Sequence, residues 1–100
     1  MMIHAEISIY PIGTDSTSIS FYIIKAIEAL KEMNVKYEVT PMGTVLEAQN
    51  LQEIFTASNL VIETVHRLGV KRVEVILKVD SRKDKEQTMQ QKMQSLTKYS

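Results

Sequence analysis

Glu47 is the residue whose type and setting first raise a chemical question. It stands in "TPMGTVLEA", residues 40–48, where Thr44 to Ala48 is short enough to be the return strand of a hairpin. It shares its alternation phase with Val45, so an ideal strand turns both toward the helices, where an unpaired carboxylate is expensive. A ligand carrying a positive charge or amide-like donors would satisfy it; so would a local bulge or an edge position. A second polar set lies on the opposite face. Glu6, Ser8 and Tyr10 alternate in one segment, Glu38 and Thr40 in another, Glu74 and Lys78 in a third, and in-phase strands put all of them on the side away from the helices. A solvated sheet face reads the same way. Tyr10 stands out, because an amphipathic ring next to Pro11 and close to Thr14 suits the wall of a small-ligand pocket.

Other chemistries find little support. The chain has no cysteine, which removes disulfides, thiolate metal sites and thiol nucleophiles and fits a reducing compartment. His4 and His66 are far apart, with no partner at metal-ligand spacing, so no metal and no other cofactor is expected. "PIGTDSTS", residues 11–18, offers one glycine before a helix and suits an N-terminal cap better than a phosphate loop. No activated nucleophile or acid-base pair can be named, and the chain does not read as an enzyme. Twelve Lys and Arg balance twelve Asp and Glu, which leaves no long-range field to gather nucleic acid or an anionic membrane. "MMIHAEISIY" lacks a basic leader and "FYIIKAIEAL" is broken by Lys25 and Glu28, so neither a signal peptide nor a membrane span is expected and the cytoplasm is the default location.

The elements that must position these residues follow from periodicity. One hundred residues, 44% hydrophobic, suffice for one core, so residues 1–100 are expected to form one domain. Ile3, Ala5, Ile7 and Ile9 alternate as the buried side of a first strand. Ile19, Ile23, Ala26, Ile27, Leu30 and Met33 recur at helical spacing, with Asp15 and Ser16 as capping candidates and Asn34 as a left-handed stop. Val35, Tyr37 and Val39 form a second strand, the "PMG" turn follows, and Thr44 to Ala48 return. Asn50 with Glu53 opens a second helix with an inward stripe of Leu51, Ile54, Phe55, Ser58, Val61, Ile62, Val65 and Leu68, closed by Gly69. Val73, Val75, Leu77 and Val79 mark a fourth strand. The order strand, helix, strand, strand, helix, strand is the ferredoxin-like split βαβ arrangement of the α+β class. "YPIGT" and "TPMGT" repeat one phrase in the two halves, as though one backbone solution served twice. A C-terminal helix over about 84–98 is expected from Asp84 with Gln87 and the stripe Met89, Met93, Leu96. So narrow a stripe cannot hold a helix unaided, so it should dock on its own domain or on another subunit. The uncovered surface as a whole predicts a dimer, or a tetramer of dimers, with this helix crossing the subunit boundary.

"YPIGT", "YEVTPMGTVLEA", "GVKRVEVILKVDSRKDK" and "TMQQKMQSL", in this order and at these separations, resemble the small single-domain thiamine-binding protein family over nearly the whole chain. The resemblance implies a ferredoxin-like subunit, assembly into dimers and tetramers, and non-catalytic binding of thiamine or its hydroxymethylpyrimidine portion. Pro11, Gly13, Thr14 and Ser18 match the first motif, Pro41, Met42, Gly43, Thr44 and Glu47 the second, and Arg72, Asp80, Arg82 and Lys92 the later ones. An aminopyrimidine offers ring nitrogens and an exocyclic amine to hydroxyls and a carboxylate, and a thiazolium charge suits Glu beside an aromatic ring. The expected ligand residues are therefore Ser8, Tyr10, Thr44 and Glu47, followed by Thr14. A structural or regulatory homo-oligomer without a small-molecule ligand is the competing reading.

Overall fold

The computed structural model describes residues 2–15, 19–84 and 86–97. Four strands, β1 (Ile3–Ile12), β2 (Lys36–Thr40), β3 (Gly43–Ala48) and β4 (Arg72–Ser81), form one sheet in the order β2-β3-β1-β4, with every neighbouring pair antiparallel. Helix α1 (Ser20–Glu28) links β1 to β2 and helix α2 (Leu51–Arg67) links β3 to β4, which is the ferredoxin-like arrangement expected. A third helix, α3 (Met89–Thr97), follows β4.

The alternation of β1 divides the molecule. Ile3, Ala5, Ile7 and Ile9 are buried on the side of α1 and α2, where they meet Ala26, Ile27 and Leu30 from the first helical segment and Ile54, Ala57, Val61 and Val65 from α2. Removing apolar surface of this kind from water is the main favourable term holding the layers together. Register then assigns the other strands. Ala48, Leu46 and Thr44 of β3 lie opposite Ile3, Ala5 and Ile7 and share their face, whereas Glu47 and Val45 lie opposite His4 and Glu6. Glu47 therefore points away from α1 and α2, the reverse of the phase read from the sequence. Its partner strand, invisible to local periodicity, decides its face.

Several helix boundaries also differ. Ile19 is the N-cap of α1 and its side chain makes no capping bond; Asp15 lies too far upstream to cap the helix, and Ser16 falls outside the described residues. The helix ends by tightening into a 3₁₀ turn over Ala29–Glu32, and no non-glycine residue among those described has a positive φ, so Asn34 is no left-handed stop. The contact face of α2 is centred on Ile54, Ala57, Val61 and Val65; Phe55, about 100° round from Ile54, faces solvent, and Leu51 and Leu68 at the helix ends are exposed with it. The Asn50 cap is as expected: its Oδ1 accepts from Glu53 N–H at 2.9 Å, and Glu53 Oε2 accepts from Gln49 N–H at 3.3 Å. The C-terminal helix starts at Met89, later than the Asp84 box implied, because Thr88 and Gln91 form the reciprocal cap at 2.8 and 3.1 Å while Asp84 binds Arg82. It rests on its own sheet, with no buried side chain.

The two Pro-x-Gly-Thr phrases adopt different structures. Pro11 and Ile12 end β1, and Gly13 follows with φ of 77°, a conformation that side chains resist. Pro41 and Met42 are instead the two-residue turn between β2 and β3, fastened by the Thr40 hydroxyl, which donates to Gly43 C=O at 2.8 Å and accepts from the N–H groups of Met42 and Gly43. Gly43 is needed for space: a Cβ there would meet Ser8 Oγ at 3.0 Å and the Ile7 carbonyl oxygen at 3.3 Å. Gly13→Ala should therefore lower stability by about 1 kcal/mol through backbone strain alone. Gly43→Ala should cost about 1–3 kcal/mol through crowding of β1. Denaturant midpoints of the two variants, with the slope unchanged, check both values.

Candidate functional site

β1 runs on past the end of β3. Pairing with β3 stops at Ile7 opposite Thr44, whereas pairing with β4 continues to Ile12. Beyond Ser8 one side of β1 has no strand beside it, and the Pro41–Met42 turn and the start of α1 close over the gap. The result is a recess of about 190 Å³ lined by Ser8, Tyr10, Ile19, Ile23, Met42 and Thr44, among others. Its floor is apolar and its rim is exposed, Met42 most of all at 83%.

Three of the five expected ligand residues meet here. Thr44 is only 2% exposed, and its hydroxyl makes no hydrogen bond among the described residues, yet no fully enclosed side-chain polar atom among those residues is left without a partner. That hydroxyl is therefore not fully enclosed, and Thr44 is one of the residues lining the recess. Ser8 Oγ donates to the Met42 carbonyl at 3.2 Å and ties the turn to β1. Tyr10 is half-exposed at the mouth. The other two lie elsewhere. Thr14 lines a separate hollow of about 520 Å³ with Gly13, Tyr22, Gly69, Lys71 and Arg72, and Glu47 lies on the open face of the sheet beneath α3. Ser18 of the first motif falls outside the described residues.

Glu47, 4% exposed, is satisfied within the chain. Its Oε1 accepts from His4 Nε2 at 3.1 Å and from the Met89 N–H at 3.0 Å. Since a carboxylate only accepts, His4 carries its proton on Nε2. Met89 is the first residue of α3, so the carboxylate also sits at the positive end of that helix, an arrangement worth about 0.3–1 kcal/mol or more when partly buried. Sequence reasoning took His4 only as a surface or packing histidine; the signal that could have found it was its β1 phase, which it shares with Glu6 and, across the register, with Glu47. The later motif residues are ion-pair members: Arg72 with Glu74, Arg82 with Asp84, and Asp80 with Lys92. Among the described residues no three His, Asp or Glu side chains are grouped to hold a metal ion, and no helix is long and apolar enough to cross a membrane.

An α+β chain of this topology, with an extra C-terminal helix, matches known proteins throughout its length. A model of the thiamine-binding protein family matches residues 5–97, and the chain belongs to that family. A UPF0045 protein of Methanothermobacter thermautotrophicus is 44% identical over 95 residues, covering 95% of this chain and 96% of that one. The crystal structure of the hypothetical protein MJ1052 from Methanocaldococcus jannaschii superposes with a TM-score of 0.87 at 43% identity and 96% coverage of both chains. A Thermotoga maritima protein, whose name proposes a place in thiamine biosynthesis or salvage, shares the fold with a TM-score of 0.79 at 23% identity, over 96% of this chain and 99% of its own. The family is named for binding and not for a reaction.

Asp80 offers a direct check on the contacts of α3. The Lys92 ammonium, hydrogen-bonded at 2.6 Å, holds the Asp80 carboxyl below its ordinary value of 3.8, first through that bond and then through its charge. A depressed carboxyl stabilises the folded state above its unfolded value, and the contribution is lost as pH falls through the folded one. Lys92→Met should therefore raise the Asp80 pKa toward the ordinary range in a carboxyl NMR titration. An unmoved titration would mean that Lys92 does not hold Asp80 in solution.

Proposed function

We propose that this protein is a non-enzymatic binder of thiamine or of its hydroxymethylpyrimidine portion, acting as a homo-oligomer in the cytoplasm. The observation that carries the reading is Thr44, a polar residue only 2% exposed whose hydroxyl is not fully enclosed, lining the recess with Ser8 and Tyr10. A hydroxyl in that position both donates and accepts, which is what a pyrimidine nitrogen and its exocyclic amine ask for. The volume decides which part of the ligand enters. At about 190 Å³ the recess is smaller than the roughly 300–1,000 Å³ of sites that enclose drug-sized molecules, so one ring fits and a second ring projects past the exposed Met42. Tyr10 then stands at the mouth, where its ring faces the cationic part of the ligand. Neither Thr14, which lines a separate hollow, nor Glu47, which is held by His4 and Met89, lines this recess.

Assembly into a dimer or a tetramer is supported by the apolar residues that one subunit leaves in solvent. Ile76 is 64% exposed midway along β4, the edge strand, on the open sheet face, and Phe21, Ile24 and Phe55 are exposed on the helices. The same residues favour the second reading, a structural or regulatory oligomer without a small ligand.

Isothermal titration with hydroxymethylpyrimidine, thiamine and thiamine phosphates separates the two. Hydroxymethylpyrimidine should bind, and Thr44→Val, which keeps the side-chain shape, should weaken it by about 1–3 kcal/mol, the range for a buried group left unpaired. Absence of heat with all these compounds from a folded oligomer would favour the second reading. Light scattering should show a dimer or larger for the intact chain.

A further inference from the structure

The three helices are fastened by different means. α1 and α2 bury Ala26, Ile27, Ile54, Ala57, Val61 and Val65, whereas α3 buries no side chain and leaves Met93 and Leu96 in solvent. What attaches α3 to the sheet is polar. The Met89 N–H donates to Glu47, Lys92 Nζ donates to Asp80 at 2.6 Å, and in the segment leading to the helix Glu86 Oε1 accepts from the Met2 N–H at 2.8 Å. The Lys92–Asp80 and Met2–Glu86 contacts are exposed and screened by water. The Met89–Glu47 contact is sheltered, and beneath it lies the buried His4–Glu47 pair.

The geometry points to α3 as a latched cover over the His4–Glu47 end of the open sheet face, with the charge on Glu47 as the catch and acid as the release. A nine-residue helix with no buried side chain does not persist on its own, so its order depends on what holds its first turn. The Glu47 carboxylate holds it by a charge-assisted hydrogen bond and by attraction to the helix N-terminus. Protonating Glu47 removes both the charge and half of the acceptor strength, while His4, bound to the same oxygen, keeps the side chain in place on the sheet. The charged groups around the catch are few. His4 and Glu6 face it from β1, Lys36 lies directly across from it on β2 with Glu38 beyond, Asp80 and Lys78 stand on β4, and Lys92 and Glu86 come from α3 and its approach. Release uncovers His4 and Glu47 together, turning a sheltered pair into an exposed one on the face that also carries Ile76.

Hydrogen exchange resolved by mass spectrometry on the full chain tests this. At about pH 7, Glu47→Gln should speed exchange of the α3 amides about tenfold while those of α1, α2 and the sheet stay as they were, and Lys92→Gln should have a smaller effect. Acidifying the wild type in steps should reproduce the Glu47→Gln pattern once intrinsic exchange rates are corrected, and the variant should respond less than the wild type over the same steps. Unchanged α3 exchange in folded Glu47→Gln overturns the proposal. So does loss of protection in all elements at once, which would make the pair a part of the fold and not a catch. If the variant does not fold, the acid series on the wild type decides: α3 must open before the sheet does.

Discussion

β1 hydrogen-bonds to β4 over its whole length and to β3 over only its first half. That inequality separates the two ends of the sheet. Where both neighbours are present, alternate side chains of β1 are sorted without ambiguity, Ile3, Ala5 and Ile7 into the core and His4 and Glu6 onto the open face. Where β3 has ended, β1 has an open side, and a recess forms between it, the turn and α1. Backbone left beside a gap has unpaired donors and acceptors, and such positions favour either another strand or a ligand. Ser8, at the boundary, closes the gap partly by binding the turn carbonyl, and Thr44, the last paired residue, keeps its hydroxyl for the space beyond.

The paired end meets a different problem. Here the open face carries a buried carboxylate, which is costly unless several donors reach it. His4 supplies one from the neighbouring strand and the first amide of α3 supplies the other. The C-terminal helix is thus placed by a charge that needed a partner, where α1 and α2 are placed by apolar surface that needed cover. Burial of that surface is not directional, and tolerates small shifts; a hydrogen bond to one oxygen sets position closely but weakens sharply when the charge is lost.

Much of the fold was legible in the sequence because period-2 and period-3.6 patterns are local. Ile3 to Ile9, the Ile54 to Val65 stripe, the Asn50 cap and the Gly69 stop were all readable, and with them the order of elements. Glu47 was not, since β3 offers apolar residues in both phases: Val45 on one side, Leu46 and Ala48 on the other. Only the pairing with His4 distinguishes them, and pairing is tertiary. Phe55 misled for a similar reason, because an amphipathic stripe fixes a helix face only to within one residue on either side, and Ala57 was the true contact. Ser8, Tyr10 and Thr44 were legible as candidates by their chemistry, but Ser8 and Tyr10 come from the opposite sheet face to Thr44, and what brings all three to one recess is the early end of β3.

The repeated phrase shows where letters stop determining shape. After Pro11 the chain leaves the sheet toward α1, and Gly13 supplies a positive φ with no atom of another residue near its missing side chain. After Pro41 the chain turns straight back, and Gly43 lies within the sheet against Ser8 and Ile7, with no unusual dihedral at all. One glycine is required by torsion and the other by proximity, and a sequence motif does not distinguish them. The difference bears on the recess, since close approach of β3 to β1 at Gly43 is what lets Ser8 reach the Met42 carbonyl. That bond fixes the turn over the gap and leaves the neighbouring Thr44 hydroxyl free to face it.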